Sequence, residues 1–323
     1  MQLFTLNASR TFAEKIAAAL GVELSSHEER EFEDGEHKAR PLASVRGEDV
    51  YVVQSLHGGP DQSPNDKLCR LLFFLATMKE NGAARVTAVI PYLAYARKDR
   101  QTKPRDPVTT RYVAELLEAA GADCVVTLDV HNIVAFQNAF RCETIHLDTR
   151  RLFAERAVAL IGEAAAVVAS PDPGGVKRAQ LFREMLETML GRPVGSAFME
   201  KRRSAGVVSG NLLVGDVAGA TVLIVDDLIS GGGTMARASH ACREGGAKTI
   251  YAFAAHGLFT GEAASALRHS DLAKTFVTDT VPPFRLDDKL VGGRVEILSA
   301  APLFAKAIRA LHEDGSINAL LEG

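Results

Sequence analysis

The chain predicts an α/β protein of two duplicated domains, each a mainly parallel sheet flanked by helices. Three observations lead there. Runs of β-forming residues alternate with helical patterns along the chain, the signature of parallel sheets covered on both faces. The 323 residues suffice for two domains of ordinary size. The halves also repeat one another. Val45-Arg46-Gly47-Glu48-Asp49-Val50 matches Val217-Ala218-Gly219-Ala220-Thr221-Val222 before a strand, and Gly82-Ala83 matches Gly246-Ala247 between a helix and the next strand. In such folds ligands bind outside the C-terminal ends of strands.

Taken in order, Leu3–Leu6 predicts a strand. Thr11–Leu20 has helical spacing at Phe12, Ile16, Ala19 and Leu20, and Gly21 stops it. Phe32-Glu33-Asp34-Gly35-Glu36 sits in a polar, hairpin-like segment. Val50–Gln54 is a strand, Asn65–Asn81 a helix burying Leu68, Leu71, Leu72 and Leu75, and Val86–Ile90 a strand. A long cationic loop follows, with Arg97, Lys98, Arg100, Lys103 and Arg105 before Pro107. Thr109–Ala120 is a helix, and strand Cys124–Leu128 ends at Asp129-Val130-His131. The first domain is expected over 1–147 and the second over 148–302. In the second, helix Thr149–Ile161 leads to strand Val167–Ala169 and the turn Ser170-Pro171-Asp172-Pro173-Gly174-Gly175. Helix Gln180–Leu190 and a hairpin over Gly195–Val214 come next. Strand Val222–Val225 is capped by Asp226 and Asp227, followed by a glycine loop and helix Met235–Arg243. Strand Thr249–Ala254, helix Ala263–His269 and strands Thr275–Thr278 and Val295–Ile297 complete the domain. Residues 303–323 carry a C-terminal helix expected to pack back on the first domain.

Composition narrows the function classes. Apolar residues make up 47% of the chain, enough for substantial cores. A formal charge of -3 argues against bulk electrostatic binding to nucleic acid. Cys69, Cys124, Cys142 and Cys242 lie far apart, which fits a reducing compartment and neither a disulfide nor a zinc framework. The longest apolar block, near Leu71–Met78, is too short to span a bilayer, so no membrane association is expected. With no secretion signal at the N-terminus, a soluble cytoplasmic protein is expected.

The chemistry centres on Val222–Thr234, reading V-L-I-V-D-D-L-I-S-G-G-G-T. A glycine loop opening a helix lets backbone N–H groups close on a phosphate. Asp226 and Asp227 can accept hydrogen bonds from sugar hydroxyls. The same residues also describe a tight β-to-α turn with solvated acids, because short motifs match often by chance. Asp129, His131 and Asp172 could supply hard or borderline ligands suited to Mg²⁺. Taken singly, His131 could equally donate to a carbonyl and Asp172 fix a proline turn. Lys201, Arg202 and Arg203 could neutralise charge on a transferred phosphoryl group or simply tip an exposed hairpin. Two cationic loops beside a phosphate cradle meet the demands of phosphoryl transfer. Neither a Walker motif nor the protein-kinase motif set occurs, and no dinucleotide fingerprint follows the first strand.

These residues together resemble the ribose-phosphate pyrophosphokinases, whose sugar loop is shared with type I phosphoribosyltransferases. The resemblance runs through Phe32–Glu36, Ala84–Tyr92, Tyr95-Ala96-Arg97, Asp129-Val130-His131, Ser170-Pro171-Asp172, Lys201-Arg202-Arg203, Leu213–Val217 and His256–Phe259. It implies two phosphoribosyltransferase-like domains. It also implies transfer of the β,γ-diphosphoryl group of ATP to the C1 hydroxyl of ribose 5-phosphate. By the same resemblance Ser230, Gly231, Gly232, Gly233 and Thr234 hold the sugar phosphate, with Asp226 and Asp227 on the ribose hydroxyls and metal. His131 and Asp172 bind Mg²⁺, for which Mn²⁺ is an alternative. Arg97 and Lys98 lie along the ATP, and Lys201 and Arg203 stabilise the transition state from a hairpin. Phe32, Asp34 and Glu36 hold the adenine of a neighbouring subunit's site, so a homo-oligomer is implied.

The chain departs from the commonest family pattern at four places. Ser230-Gly231 replaces an Asp-Thr pair, Lys98 a Gln, Thr102 an Asp, and Pro104 a regulatory serine. These departures resemble the divergent class II branch, for which strict ATP preference, phosphate activation and ADP inhibition are not expected. Two other readings use the same residues: a non-catalytic relative that regulates an active pyrophosphokinase, and a phosphoribosyltransferase. The first should have lost catalytic cations or metal ligands, yet Lys201, Arg203, His131 and Asp172 are present. The second does not call for two whole repeats and the Arg97 loop.

Overall fold

The structure is a computed structural model describing residues 1–204 and 207–318, with the backbone alone for 201–204 and 207–211. The chain divides into two compact units, Met1–Asp148 with Ala300–Gly323, and Thr149–Ser299.

In the first unit β1 (Gln2–Thr5) leads to α1 (Arg10–Leu20) and the ribbon β2 (His27–Glu31) and β3 (His37–Pro41). Then come β4 (Asp49–Val53), α2 (Pro64–Glu80), β5 (Arg85–Ile90), α3 (Thr109–Ala119), β6 (Cys124–Leu128), α4 (Ile133–Ala139) and β7 (Glu143–Leu147). The sheet has the order β1-β4-β5-β6-β7, with every pair parallel. Alternation of side chains explains its two covered faces. Val50 and Val52 point into one core with Phe74 and Leu75 of α2, while Tyr51 and Val53 point into the other with Phe12 and Ile16 of α1.

The second unit runs α5 (Arg150–Ile161), β8 (Ala166–Ser170), α6 (Val176–Leu190), β9 (Gly195–Ser204), β10 (Val207–Val214), β11 (Thr221–Ile229) and α7 (Gly233–Glu244). It continues through β12 (Thr249–Gly257), α8 (Ala263–Arg268), β13 (Lys274–Thr278) and β14 (Val295–Leu298). Its sheet order is β10-β9-β8-β11-β12-β13-β14, and only β9 and β10 pair antiparallel. The parallel stretch β8-β11-β12-β13-β14 repeats β1-β4-β5-β6-β7 in order and direction. Val222 and Ile224 face one core and Leu223 and Val225 the other, as Val50 to Val53 do in the first sheet.

Three readings of the sequence need correction. β11 does not stop at Val225 but pairs on to Ile229, with Leu228 against His256 and Ile229 against Gly257. Asp226 and Asp227 are therefore strand residues with backbones held in the sheet, not caps beyond it. α6 begins at Val176 rather than Gln180, because Asp172 accepts from Gly174 N–H and Gly175 N–H and launches the chain directly into the helix. α4 and β7 are additional elements that the sequence reading left out.

The last helix, α9 (Ala301–His312), belongs to the first unit and completes the α1 face. Phe304 meets Phe12 edge-on at 5.6 Å between ring centroids. Arg85 forks onto Asp49 at 2.8 and 2.9 Å and also donates to Leu311 O at 2.8 Å, while His312 Nδ1 lies 2.8 Å from Asp49. Phe304 is fully buried, so Phe304→Ala leaves a cavity costing about 3–5 kcal/mol. The expected fall in Tm, read by thermal denaturation, is about 6–20 °C. A shift under about 2 °C would show that α9 contributes little to this core.

Candidate active site

In the second unit the site is built around the turn between β11 and α7. Gly232 caps α7 at φ 75°, a left-handed conformation that favours glycine. A Cβ there would sit 3.1 Å from the Ala266 Cβ, so space as well as conformation selects glycine. No side chain caps the helix, which leaves the first-turn N–H groups pointing outward with the positive end of the helix dipole. Thr234 stands in that turn, and Arg237 Nη2 donates to its Oγ1 at 3.3 Å. Ser230 Oγ shares a 2.9 Å hydrogen bond with Thr260 Oγ1, tying the loop to the segment after β12. Phe259 N–H donates to Ile229 O and Thr260 N–H to Ser230 O, which reinforces the same contact. A Cβ on Gly231 would make only an ordinary contact with Thr260 O at 3.9 Å, and Gly233 faces the Arg237 guanidinium.

Beside this cradle Asp226 and Asp227 form a buried acidic pair. Asp227 is 3% exposed. Asp227 N–H donates to Asp226 Oδ1 at 2.9 Å, and Arg178 Nη1 lies 3.3 Å from an oxygen of each carboxylate. Burial first, then the adjacent Asp227 charge, pushes the Asp226 carboxyl well above the usual carboxylate range, while Arg178 pulls the other way. The sequence-predicted set includes neither Arg178 nor Arg237. A signal for Arg178 was present: a cation in the first turn of a helix opposes the helix dipole unless acids face it.

Asp172 lies just beyond the neighbouring strand β8, and its Oδ1 accepts from Gly174 N–H and Gly175 N–H at 2.9 and 3.1 Å. The backbones of Lys201 and Arg203 lie in β9 opposite Asn211 and Val208. Their side chains lie outside the described residues.

The first unit carries the remaining predicted residues. Arg97 and Lys98 are exposed on the loop after β5. Thr110 Oγ1 donates to the carbonyls of Tyr95 and Lys98, which pins this loop to α3. His131 is exposed at the turn between β6 and α4. The next residue, Asn132, caps α4 through Val134 N–H and Ala135 N–H and donates to Asp99 Oδ2 at 2.6 Å. That bond joins the His131 turn to the Arg97 loop. Non-glycine residues adopt left-handed backbone in both, Tyr95 at φ 66° and Asp129 at φ 39°, a strain that recurs at functional loops.

Phe32, Asp34 and Glu36 are exposed in the turn between β2 and β3. Phe32 N–H donates to Glu36 O at 2.8 Å, Asp34 Oδ1 accepts from Glu36 N–H at 3.1 Å, and the Arg30 guanidinium lies over the Phe32 ring at 4.9 Å. Below the turn, Glu29 is buried between His27 and His37, and Arg70 of α2 reaches both Glu29 and Glu31. Burial pushes the Glu29 carboxyl up, but hydrogen bonds from His27, Asn7 N–H and His37 outweigh it and hold the group at about 2. The stem is thus ionically fixed to α2. His57 and His256 are buried beside Lys67 and Thr280 respectively.

Among the described residues no three His, Cys, Asp or Glu side chains are grouped to hold a metal ion. A single imidazole and single carboxylates nonetheless fit Mg²⁺, which keeps its waters and binds through few protein groups plus substrate phosphates. No helix among the described residues is long and apolar enough to cross a membrane.

Fold and site define a two-domain α/β protein with an acid pair and a glycine loop at one sheet's C-terminal edge. Comparison with known proteins narrows this. A family model described as the N-terminal domain of ribose phosphate pyrophosphokinase matches residues 1–121, and one described as the phosphoribosyl synthetase-associated domain matches 210–322. The chain is 38% identical to the ribose-phosphate pyrophosphokinase of Caldanaerobacter subterraneus subsp. tengcongensis, over 99% of this chain and 97% of that protein. It is 35% identical to ribose-phosphate pyrophosphokinase 1 of Streptococcus pyogenes serotype M3, over 100% and 98%. The crystal structure of the phosphoribosylpyrophosphate synthetase of Mycobacterium smegmatis superposes with a TM-score of 0.88 at 35% identity, covering 97% of this chain and 99% of that one. The chain belongs to the ribose-phosphate pyrophosphokinase family.

Proposed function

We infer that the protein transfers the β,γ-diphosphoryl group of Mg²⁺-bound ATP to the C1 hydroxyl of ribose 5-phosphate, giving phosphoribosyl pyrophosphate and AMP for nucleotide biosynthesis. The observation that carries this reading is the uncapped N-terminus of α7 beside the Asp226–Asp227 pair. One feature suits a phosphate and the other sugar hydroxyls. The Ser230–Thr234 turn binds the 5-phosphate through backbone N–H groups, and the acid pair accepts from the ribose hydroxyls, fixing the sugar by both ends. The C1 oxygen attacks the β-phosphorus. The bond from that phosphorus to the oxygen bridging the α-phosphate breaks, AMP leaves with that oxygen, and the hydroxyl's proton passes to solvent. Lys201 and Arg203 neutralise the charge that builds on the transferred group, and closure of their hairpin excludes water. Arg97 and Lys98 bind the nucleotide's phosphate end. Phe32 stacks on adenine, with Asp34 and Glu36 accepting from its polar edge.

His131 and Asp172 are the proposed Mg²⁺ ligands, and Mn²⁺ meets the same donors. Bound at the phosphates, the ion supplies charge neutralisation. The departures at Lys98, Thr102, Pro104 and Ser230-Gly231 support membership of the class II branch. A panel of nucleoside triphosphates with Mg²⁺ or Mn²⁺ is expected to release nucleoside monophosphate from more than one nucleotide, without added inorganic phosphate. Turnover that is confined to ATP and requires phosphate contradicts the branch assignment. Nucleotide turnover that never depends on ribose 5-phosphate contradicts the function.

The protein acts as a cytoplasmic homo-oligomer in which the Phe32 turn serves a neighbouring subunit's adenine site. Supporting this, Phe32 is 40% exposed at the tip of an ionically braced ribbon. Tyr112 and Leu116 of α3 and Ile133 and Val134 of α4 are exposed apolar residues on two helices of the same unit. Sedimentation at micromolar concentration should give a species larger than the 34.6 kDa chain; a monomer would contradict the shared adenine site.

A further inference from the structure

We propose that Arg178 is a positioning residue for ribose 5-phosphate, holding Asp226 and Asp227 as a fixed pair of acceptors for the sugar hydroxyls. This rests on the sugar reading of the β11–α7 site. Two adjacent carboxylates in a buried strand repel each other and turn apart unless a cation sits between them. Arg178 supplies one: its Nη1 lies 3.3 Å from Asp226 Oδ1 and 3.3 Å from Asp227 Oδ1. Its position follows from the turn below it. Asp172 Oδ1 draws Gly174 N–H and Gly175 N–H into a 3-10 turn that feeds α6, and Arg178 is the third residue of that helix. A Cβ on Gly175 would lie only 2.7 Å from Ser170 Oγ, so the turn beneath α6 packs closely at a glycine. The turn that carries Asp172 and the strand that carries the acid pair are thereby held in one register.

The duplicated fold contains its own control. In the first unit β1, a 3-10 turn at Asn7–Ser9 and α1 occupy the places of β8, the Pro173–Gly175 turn and α6. Aligning Val50 with Val222 puts Gln54 and Ser55 where the second unit has Asp226 and Asp227. The third residue of α1 is then Phe12, and Ala13 follows it; both are buried in the apolar core. Where the acids are absent, so is the arginine. The arginine is thus tied to the acid pair and not to the β–turn–helix unit as such.

The test compares wild type, R178M, R178K and the double variant R178M/D226N by steady-state kinetics, with ribose 5-phosphate binding measured by calorimetry. R178M should raise KM for ribose 5-phosphate by about 10- to 100-fold, the range for losing a charged hydrogen-bonding partner. KM for ATP should stay within about twofold, and R178K should recover most of the loss because one ammonium can bridge both oxygens. The double variant should lose less sugar binding than the two single losses combined, since Arg178 acts partly through Asp226 and partly through Asp227. Unchanged KM for ribose 5-phosphate in R178M, equal losses for ATP and sugar, or no recovery in R178K would overturn the proposal. Should R178M not fold, R178Q takes its place: a selective rise in KM for ribose 5-phosphate supports the role, and equal rises for both substrates refute it. A wild type that binds no ribose 5-phosphate removes the sugar reading and this proposal together. A wild type that binds it while R178M binds equally well removes only the role of Arg178.

Discussion

Lys201→Ala is expected to lower kcat by about 100- to 1,000-fold while changing KM for either substrate by less than about threefold. Diphosphoryl transfer gives the protein little covalent chemistry to perform, so catalysis depends on positioning and on meeting charge where it develops. In its proposed role, Lys201 on the β9–β10 hairpin would meet that charge only as the β-phosphorus changes partners. Its removal should therefore be felt in the transition state and much less in the ground state. Rapid-quench measurement of AMP formation separates chemistry from product release. If KM rises and the chemical step keeps its rate, Lys201 is a binding residue and its proposed role is wrong.

Asp226→Asn is expected to raise KM for ribose 5-phosphate by about 10-fold, because an oxygen that accepts from a ribose hydroxyl is exchanged for an amide that can present a donor instead. The same substitution should stabilise the protein without ligand, and the sign follows from its environment. Burial and the neighbouring Asp227 raise the Asp226 carboxyl, so the folded state holds that proton more tightly than the unfolded chain does. Wild-type stability is then lost as pH rises from the ordinary carboxylate value of about 4 through the raised one. Asparagine does not titrate and escapes the loss. The Tm advantage of Asp226→Asn should be near zero at about pH 4 and grow toward about pH 8. Linkage over that window allows up to about 5 kcal/mol, and a Tm advantage of at least about 2 °C is expected there. Such an exchange of stability for binding is common where a site holds like charges together. An advantage that is flat with pH, or a lower Tm at pH 8, would mean that Arg178 already neutralises the pair. Unchanged sugar affinity would remove Asp226 from the binding site.

The sheets were legible because their strands are short runs of β-branched and aromatic residues buried on both faces, as at Val50–Val53 and Val222–Val225. The repeat was legible because the same glycine-containing turns precede matching strands. The C-terminal end of β11 was not. Two adjacent acids read locally as the exit of a strand, but pairing with β12 carries the backbone four residues further. Tertiary pairing overrides local propensity there, and it is what buries the acids. The start of α6 was hidden by Pro173-Gly174-Gly175, a turn signal in isolation that Asp172 converts into the entrance of a helix. Missing those first residues meant missing Arg178. α4 and β7 are only seven and five residues long, too short for a clear period. The Asp99–Asn132 bond joining the Arg97 loop to the His131 turn spans 33 positions and has no local signature.

The measurement that bears most directly on the function is the product balance with Mg²⁺, ATP and ribose 5-phosphate. Diphosphoryl transfer predicts AMP and phosphoribosyl pyrophosphate in equal amounts, with no AMP when the sugar is left out. Formation of ADP, or release of pyrophosphate that depends on an added nucleobase, would contradict it.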